Sequence, residues 1–181
     1  MSQDQSEPLT YEEAGEILWA MVPHDIPNTE RARYGIMVSD GAAEAFTREL
    51  LSLNLFWISL ALHVPISRKT IDRGEAERVF GCVTKNARGF LVERFGYSRD
   101  ELQVYSDETE KRGAEYHLVL GEKGNPVTTL THFVLNLLTT KVIELEDSDK
   151  VLSAAVKLVP WSGLTKAAGD LRIAGEGRGS R

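Results

Sequence analysis

A chain of 181 residues with 42% hydrophobic side chains is long enough for one domain with a sizeable core. Its 21 Lys and Arg against 27 Asp and Glu leave a formal charge of −6, which argues against nucleic acid, whose binding needs a concentrated basic surface. The single cysteine, Cys82, excludes an intramolecular disulfide and a multi-cysteine metal site, and between Gly81 and Val83 it reads as a small buried hydrophobe.

Residues 1–9 are polar and acidic, without the basic and apolar regions of a signal peptide, and read as a flexible lead-in to a cytoplasmic protein. Thr10-Tyr-Glu-Glu13 has the spacing of a capping box, in which a threonine oxygen and a carboxylate satisfy orphan amides of a first helical turn. The helix it opens carries Tyr11, Ala14, Ile17, Leu18 and Met21 as an apolar stripe and ends at Pro23. After the stiff loop from Pro23 to Pro27, Asn28 or Thr29 caps a short helix to about Val38.

Ser39-Asp-Gly41 then opens the first of two central helices, from about Ala42 to Val64, closed by Pro65. Its stretch from Leu50 to Ser67 contains no charged residue. Such a helix is wrapped by protein or lies in lipid; a polar interruption at Asn54 and His63 and the stop at Pro65 favour a core helix, so membrane binding is not expected. Asn54 falls within the apolar arc, so its amide requires a hydrogen-bond partner from a neighbouring segment. Arg48, Ser52, Ser59 and His63 form the one polar strip, within about 60° of one another.

A basic connection through Arg68, Lys69 and Arg73 leads to a helix from Asp72 to Phe95, ended by Gly96. Its apolar face holds Val79, Phe80, Val83, Ala87, Phe90 and Leu91, and Arg78, Lys85 and Arg88 lie opposite. Those three cations read as a solvated face, with an anion or an acidic partner as the alternative. Arg94 falls at the apolar angle and is expected to snorkel toward the helix C-terminus.

Ser98-Arg-Asp-Glu101 is a second capping box. The charged interval from Asp107 to Gly113 predicts a break near Gly113 followed by a short helix; a β-hairpin of 102–106 with 114–120 is the alternative, since Tyr116, Leu118 and Leu120 alternate with His117 and Val119. Gly121-Glu-Lys-Gly124 reads as a turn. It also fits the GXXG loop of RNA-binding KH domains, but Glu122 opposes a phosphate there.

Asn125-Pro126 starts the second central helix, charge-free to Thr140 and expected to run to about Glu146, with Val127, Leu130, Val134, Leu137, Leu138 and Leu145 buried. A last helix from Ser148 or Asp149 carries Val151, Leu152, Ala155, Val156 and Val159 to Pro160, where Trp161 and Leu164 cover a core edge. From Gly169 the Gly/Arg-rich end is expected to be disordered. The expectation is therefore an all-α fold, a single-domain bundle of about six helices over residues 10–168; a small hairpin near 102–120 would make it α+β.

No metal-ligand or catalytic motif stands out. None of His24, His63, His117 or His132 follows an acidic residue by three or four positions, and there is no Walker loop, Gly-x-Gly-x-x-Gly or Gly-x-Ser-x-Gly. No cofactor, metal or catalytic residue is expected. Polar residues of the second central helix are unusual: Thr128, His132, Asn136 and Thr139 share one line, and none is charged. With Ser52, Ser59 and His63 they are candidates to line a ligand cavity or a protein interface, or simply to form packed polar seams between helices. The functional expectation is a non-catalytic helical interaction module that self-associates or binds a partner protein. The alternative is a sensor or carrier of a small apolar ligand between the two central helices. An enzyme would require a histidine meeting a carboxylate or Cys82 in a cleft.

Overall fold

The structure, a computed structural model, describes residues 7–33, 35–121, 126–145 and 161–174. Helix α1 (Tyr11–Ala20) starts with the expected capping box: the Glu13 amide donates to Thr10 Oγ1 at 3.1 Å and the Thr10 amide to Glu13 Oε2 at 2.8 Å. Ala14, Gly15 and Leu18 face inward, whereas Ile17 of the expected stripe is exposed. The short helix α2 (Asn28–Arg33) stops well before Val38, because Ile36–Val38 is instead a strand, β1.

Helix α3 (Ala43–Ala61) is the hub, with Leu50, Leu51, Leu53, Leu55, Phe56, Trp57 and Ile58 all buried. The segment Ala43–Ser67 is long and apolar enough to cross a membrane, but 67% of its most apolar window is buried by the rest of the fold. Asn54 finds its partner as expected, Nδ2 donating to the Pro23 carbonyl at 2.5 Å. Pro65 does not end the helical path. After a turn at Leu62, helix α4 (His63–Ser67) begins, and Pro65 falls in its first turn, where an amide has no intrahelical partner to lose.

Helix α5 (Arg73–Phe95) has an Asp72 capping box and ends at Gly96 with φ of 73°, a left-handed conformation that suits glycine. Arg94 carries its guanidinium out of the core, its side chain 59% exposed and 3.6 Å from Asp25. Helix α6 (Arg99–Leu120) begins at the Ser98 capping box and runs unbroken through Gly113. Neither the break nor the hairpin expected there is found. Tyr105 and Tyr116, eleven positions apart and so nearly in line on a helix, supply its buried centre in place of aliphatic residues.

Helix α7 (Pro126–Thr139) ends before Glu146. Thr139 and Thr140 direct their hydroxyls back to the Leu135 and Asn136 carbonyls, at 2.8 and 2.7 Å, and Lys141 takes a φ of 57°. The β-branched Val142 and Ile143 then lead into strand β2 (Ile143–Leu145), which pairs antiparallel with β1 in the register Ile36↔Leu145, Met37↔Glu144, Val38↔Ile143. The small sheet thus lies far from the hairpin position considered from sequence.

Helix α8 (Trp161–Gly169) returns to α3, where Trp161 meets Trp57 edge-on at 5.0 Å and Leu164 and Ala168 are buried. Packing continues beyond Gly169: Leu171 is buried, and Ile173 forms a parallel bridge with Leu9. The expected helix from 149 to 159, the 121–124 turn beyond Gly121, the Asn125 cap and the end from 175 lie outside the described residues. The described fold is mostly helical with one tiny sheet, and α3 sits at its centre.

Candidate functional site

Helices α5 and α6 are consecutive, joined only by Gly96, Tyr97 and Ser98, yet each takes its main packing elsewhere. Helix α5 is drawn to α1, where Gly15 permits a close approach: a Cβ there would stand 2.7 Å from Cys82 Cβ. Helix α6 packs on α3 and α7. The two helices splay, and a half-open groove of about 460 Å³ remains between them with α3 as its floor.

The floor is Leu55 and Phe56 with Ser52 and Ser59; Phe80 and Thr84 of α5 form one wall; Tyr105, Ser106, Thr109, Glu110, Gly113, Ala114 and His117 of α6 form the other. Four of its hydroxyls are engaged with their own helices. Ser59 donates to the Phe56 carbonyl at 2.9 Å, Thr84 to Phe80 at 3.0 Å and Ser106 to Leu102 at 2.8 Å. Ser52 donates to the Arg48 carbonyl at 3.0 Å, which makes Thr109 the donor in the 3.1 Å contact between these two hydroxyls. The Tyr105 hydroxyl, buried beside Ser52 and Thr109, makes no hydrogen bond. Burial first of all pushes its pKa up to about 12. His117 stands edge-on to Phe56 at 4.9 Å, and Glu110 is exposed on the same wall.

A second depression, of about 430 Å³, continues past Ser59 and Phe80 along α4 and the start of α5. It contains His63, exposed beside Leu62 and Ile66, and Arg73, which is tied to Glu77 at 3.1 Å. Of the three polar residues grouped from sequence, Ser59 borders both depressions, buried Ser52 only the first and His63 only the second.

The strip on α7 goes elsewhere. Thr128 and Thr139 are exposed, while His132 and Asn136 are half-buried in the packing with α6. His132 Nε2 lies 3.6 Å from Glu115, and its ring stands edge-on to Tyr116 at 5.8 Å. Glu115 accepts from Arg112 Nη1 at 2.7 Å, and Arg112 grips Glu49 of α3 through Nε at 3.0 Å and Nη2 at 2.7 Å. Burial raises the Glu115 pKa, but the Arg112 hydrogen bond and charge, with His132 beside it, outweigh this and hold the carboxyl below its ordinary value. Burial likewise works against the charged form of Arg112, and Glu49 and Glu115 more than compensate. The result is a polar seam joining α3, α6 and α7. It includes two buried nitrogens without hydrogen bonds, His132 Nε2 and Asn136 Nδ2.

Of the cationic stripe, Arg78 is exposed and lies over the Tyr11 ring at 5.2 Å with Nη1 donating to its hydroxyl at 3.2 Å, Lys85 is exposed and Arg88 half-buried. The cavity foreseen between the central helices is not where the groove lies: α3 and α7 pack directly, Phe46 meeting Phe133 at 6.4 Å. The groove wall on α6 was missed from sequence. Its signal was present in Ser106, Thr109, Gly113 and Ala114, small residues at helical spacing flanking the tyrosine line. Among the described residues no three His, Cys, Asp or Glu side chains are grouped to hold a metal. Comparison with protein-family models, with curated proteins and with solved structures finds no match.

Proposed function

We propose that the protein is a non-catalytic binding module, and that its α3–α5–α6 groove holds a small, largely apolar molecule. The observation that carries this reading is the groove itself: about 460 Å³, bordered by three helices and lined by Phe56, Phe80, Leu55 and the hydroxyls of Ser59, Thr84 and Ser106, whose protons are engaged with their own helices. Small-molecule sites occupy roughly 300–1,000 Å³, mostly apolar with a few fixed polar groups. The test is uptake of the neutral dye Nile red, followed by its emission. Wild type should brighten it, and Ser59→Trp, which fills the floor, should abolish the gain while the far-UV spectrum stays helical. Equal brightening in both proteins would reject the groove as the site.

A second reading, self-association or docking of a partner protein, draws on the outer face of α6. Val104 and Leu118 are 54% and 83% exposed, and helical spacing places them about 40° apart. Native mass spectrometry separates the readings. A homo-oligomer that Leu118→Glu returns to monomer supports the second, and a monomer carrying a small mass lost on denaturation supports the first.

A further inference from the structure

The chemistry of the groove wall goes further than its volume. A hydroxyl that donates to its own helix keeps lone pairs to offer and has no proton left for a ligand. Ser59, Thr84 and Ser106 are all in that state, and they face the groove as acceptors. Beside them stands Glu110, for which no described side chain serves as an ion-pair or hydrogen-bond partner. No Lys or Arg lines this groove. On the other flank of α6, Arg48 is held by Glu108 and Arg112 by Glu49 with Glu115, and Lys111 lines that flank beside them. Two aromatic faces, Phe56 and Phe80, and the edge-on His117 complete the wall.

We infer that the groove selects lipophilic cations, an alkylammonium head on an apolar or aromatic body, with Glu110 as the specificity-determining carboxylate. This rests on the groove reading above and adds the charge of the ligand to it. An ammonium is donor-only, which complements a wall of acceptors, and it is attracted to aromatic faces as well as to a carboxylate. A carboxylate ligand of the same body would meet the Glu110 charge and the same lone pairs, with only the Tyr105 hydroxyl and a His117 ring N–H as donors. Because Glu110 is exposed and screened, the discrimination it provides is modest, about three- to tenfold.

Three probes with one apolar body test this by titration calorimetry at neutral pH: phenylbutylamine, phenylbutanol and phenylbutyrate. Wild type should bind the amine about three- to tenfold tighter than the alcohol, and the acid weakest. Glu110→Gln should bring the amine to the level of the alcohol without changing the alcohol itself. Glu93→Gln, an exposed α5 substitution that changes net charge equally, should leave the preference intact. If the alcohol binds but the amine has no advantage, or the advantage survives Glu110→Gln or disappears equally in Glu93→Gln, the cation inference is overturned and the groove reading stands. If none of the three binds, the groove reading itself is overturned.

Discussion

Arg112 offers the sharpest energetic test of the fold. Its guanidinium bonds both Glu49 oxygens and one Glu115 oxygen at 2.7–3.0 Å, and the side chains of Arg112, Glu49 and Glu115 are only 22%, 19% and 30% exposed. Arg112→Met keeps most of the side-chain length and leaves two carboxylates facing each other across α3 and α6. Orphaning a fully buried charge costs about 3–5 kcal/mol, and breaking an exposed pair about 0–1 kcal/mol. Intermediate exposure places the loss near 2 kcal/mol, or a Tm lower by about 4–8 °C in a domain of this size. Urea unfolding should measure it, and adding Glu49→Gln should recover part of the loss because one orphan charge is gone. The pH dependence has a defined sign. The folded pKa of Glu115 is depressed, so the stability it contributes is present above the unfolded value, about 4.3, and is lost as pH falls through the folded one. The gap between wild type and variant should therefore shrink from neutral pH toward about pH 3.5. A deficit under about 0.5 kcal/mol, or one that does not change with pH, would refute the reasoning.

Other substitutions probe packing and accessibility. A Cβ at Gly113 meets nothing within 4 Å, so Gly113→Ala should gain about 0.5–1 kcal/mol by thermal melting, whereas Gly15→Ala, with its Cβ 2.7 Å from Cys82 Cβ, should lose about 1–3 kcal/mol. The reverse order would mean that α1 and α5 are not in close contact. Asn54→Ala removes the hydrogen bond to the Pro23 carbonyl and opens space in the core, and about 2–3 kcal/mol should be lost in chemical unfolding. A neutral result would show that the carbonyl finds another donor. Burial foremost, then the Glu12 carboxylate, pushes the Cys82 thiol up, so iodoacetamide should react more slowly than with free cysteine at neutral pH and accelerate only above about pH 8.5. A free-cysteine rate at neutral pH would contradict that burial.

Local chemistry was legible in the sequence and tertiary competition was not. The boundaries of α5 follow from Asp72, Glu75 and Gly96, and the starts of α1 and α6 from Thr10 and Ser98, because a cap involves residues three positions apart. Asn54 announced a partner without naming Pro23, which lies 31 positions away. The continuity of α6 was obscured because its interior is two tyrosines and its flanks are a groove wall and an ion-pair seam, none of which resembles an aliphatic stripe. The β1–β2 pair joins segments more than a hundred positions apart, so neither strand carries a local turn signal for the other. The uncharged polar residues are divided by the structure: buried Ser52, half-buried Ser59 and exposed His63 border the two depressions, while His132 and Asn136 fill a seam. The groove lies between helices that pack on different partners, α5 on α1 and α6 on α3 and α7, which no single helix encodes.

That last arrangement gives Gly15 a role at a distance. Gly15 meets α5 at Val79, Cys82 and Val83, whereas the neighbouring Phe80 and Thr84 line the groove. Side chains larger than glycine at position 15 would act as a shim, and the resulting movement of α5 would alter the width of the groove. A series of Gly15, Ala and Ser at this one position would then tune ligand affinity without altering any residue that the ligand touches, provided stability is kept above the unfolding threshold. A residue outside the groove lining, Gly15, would thereby bear on the shape of the groove.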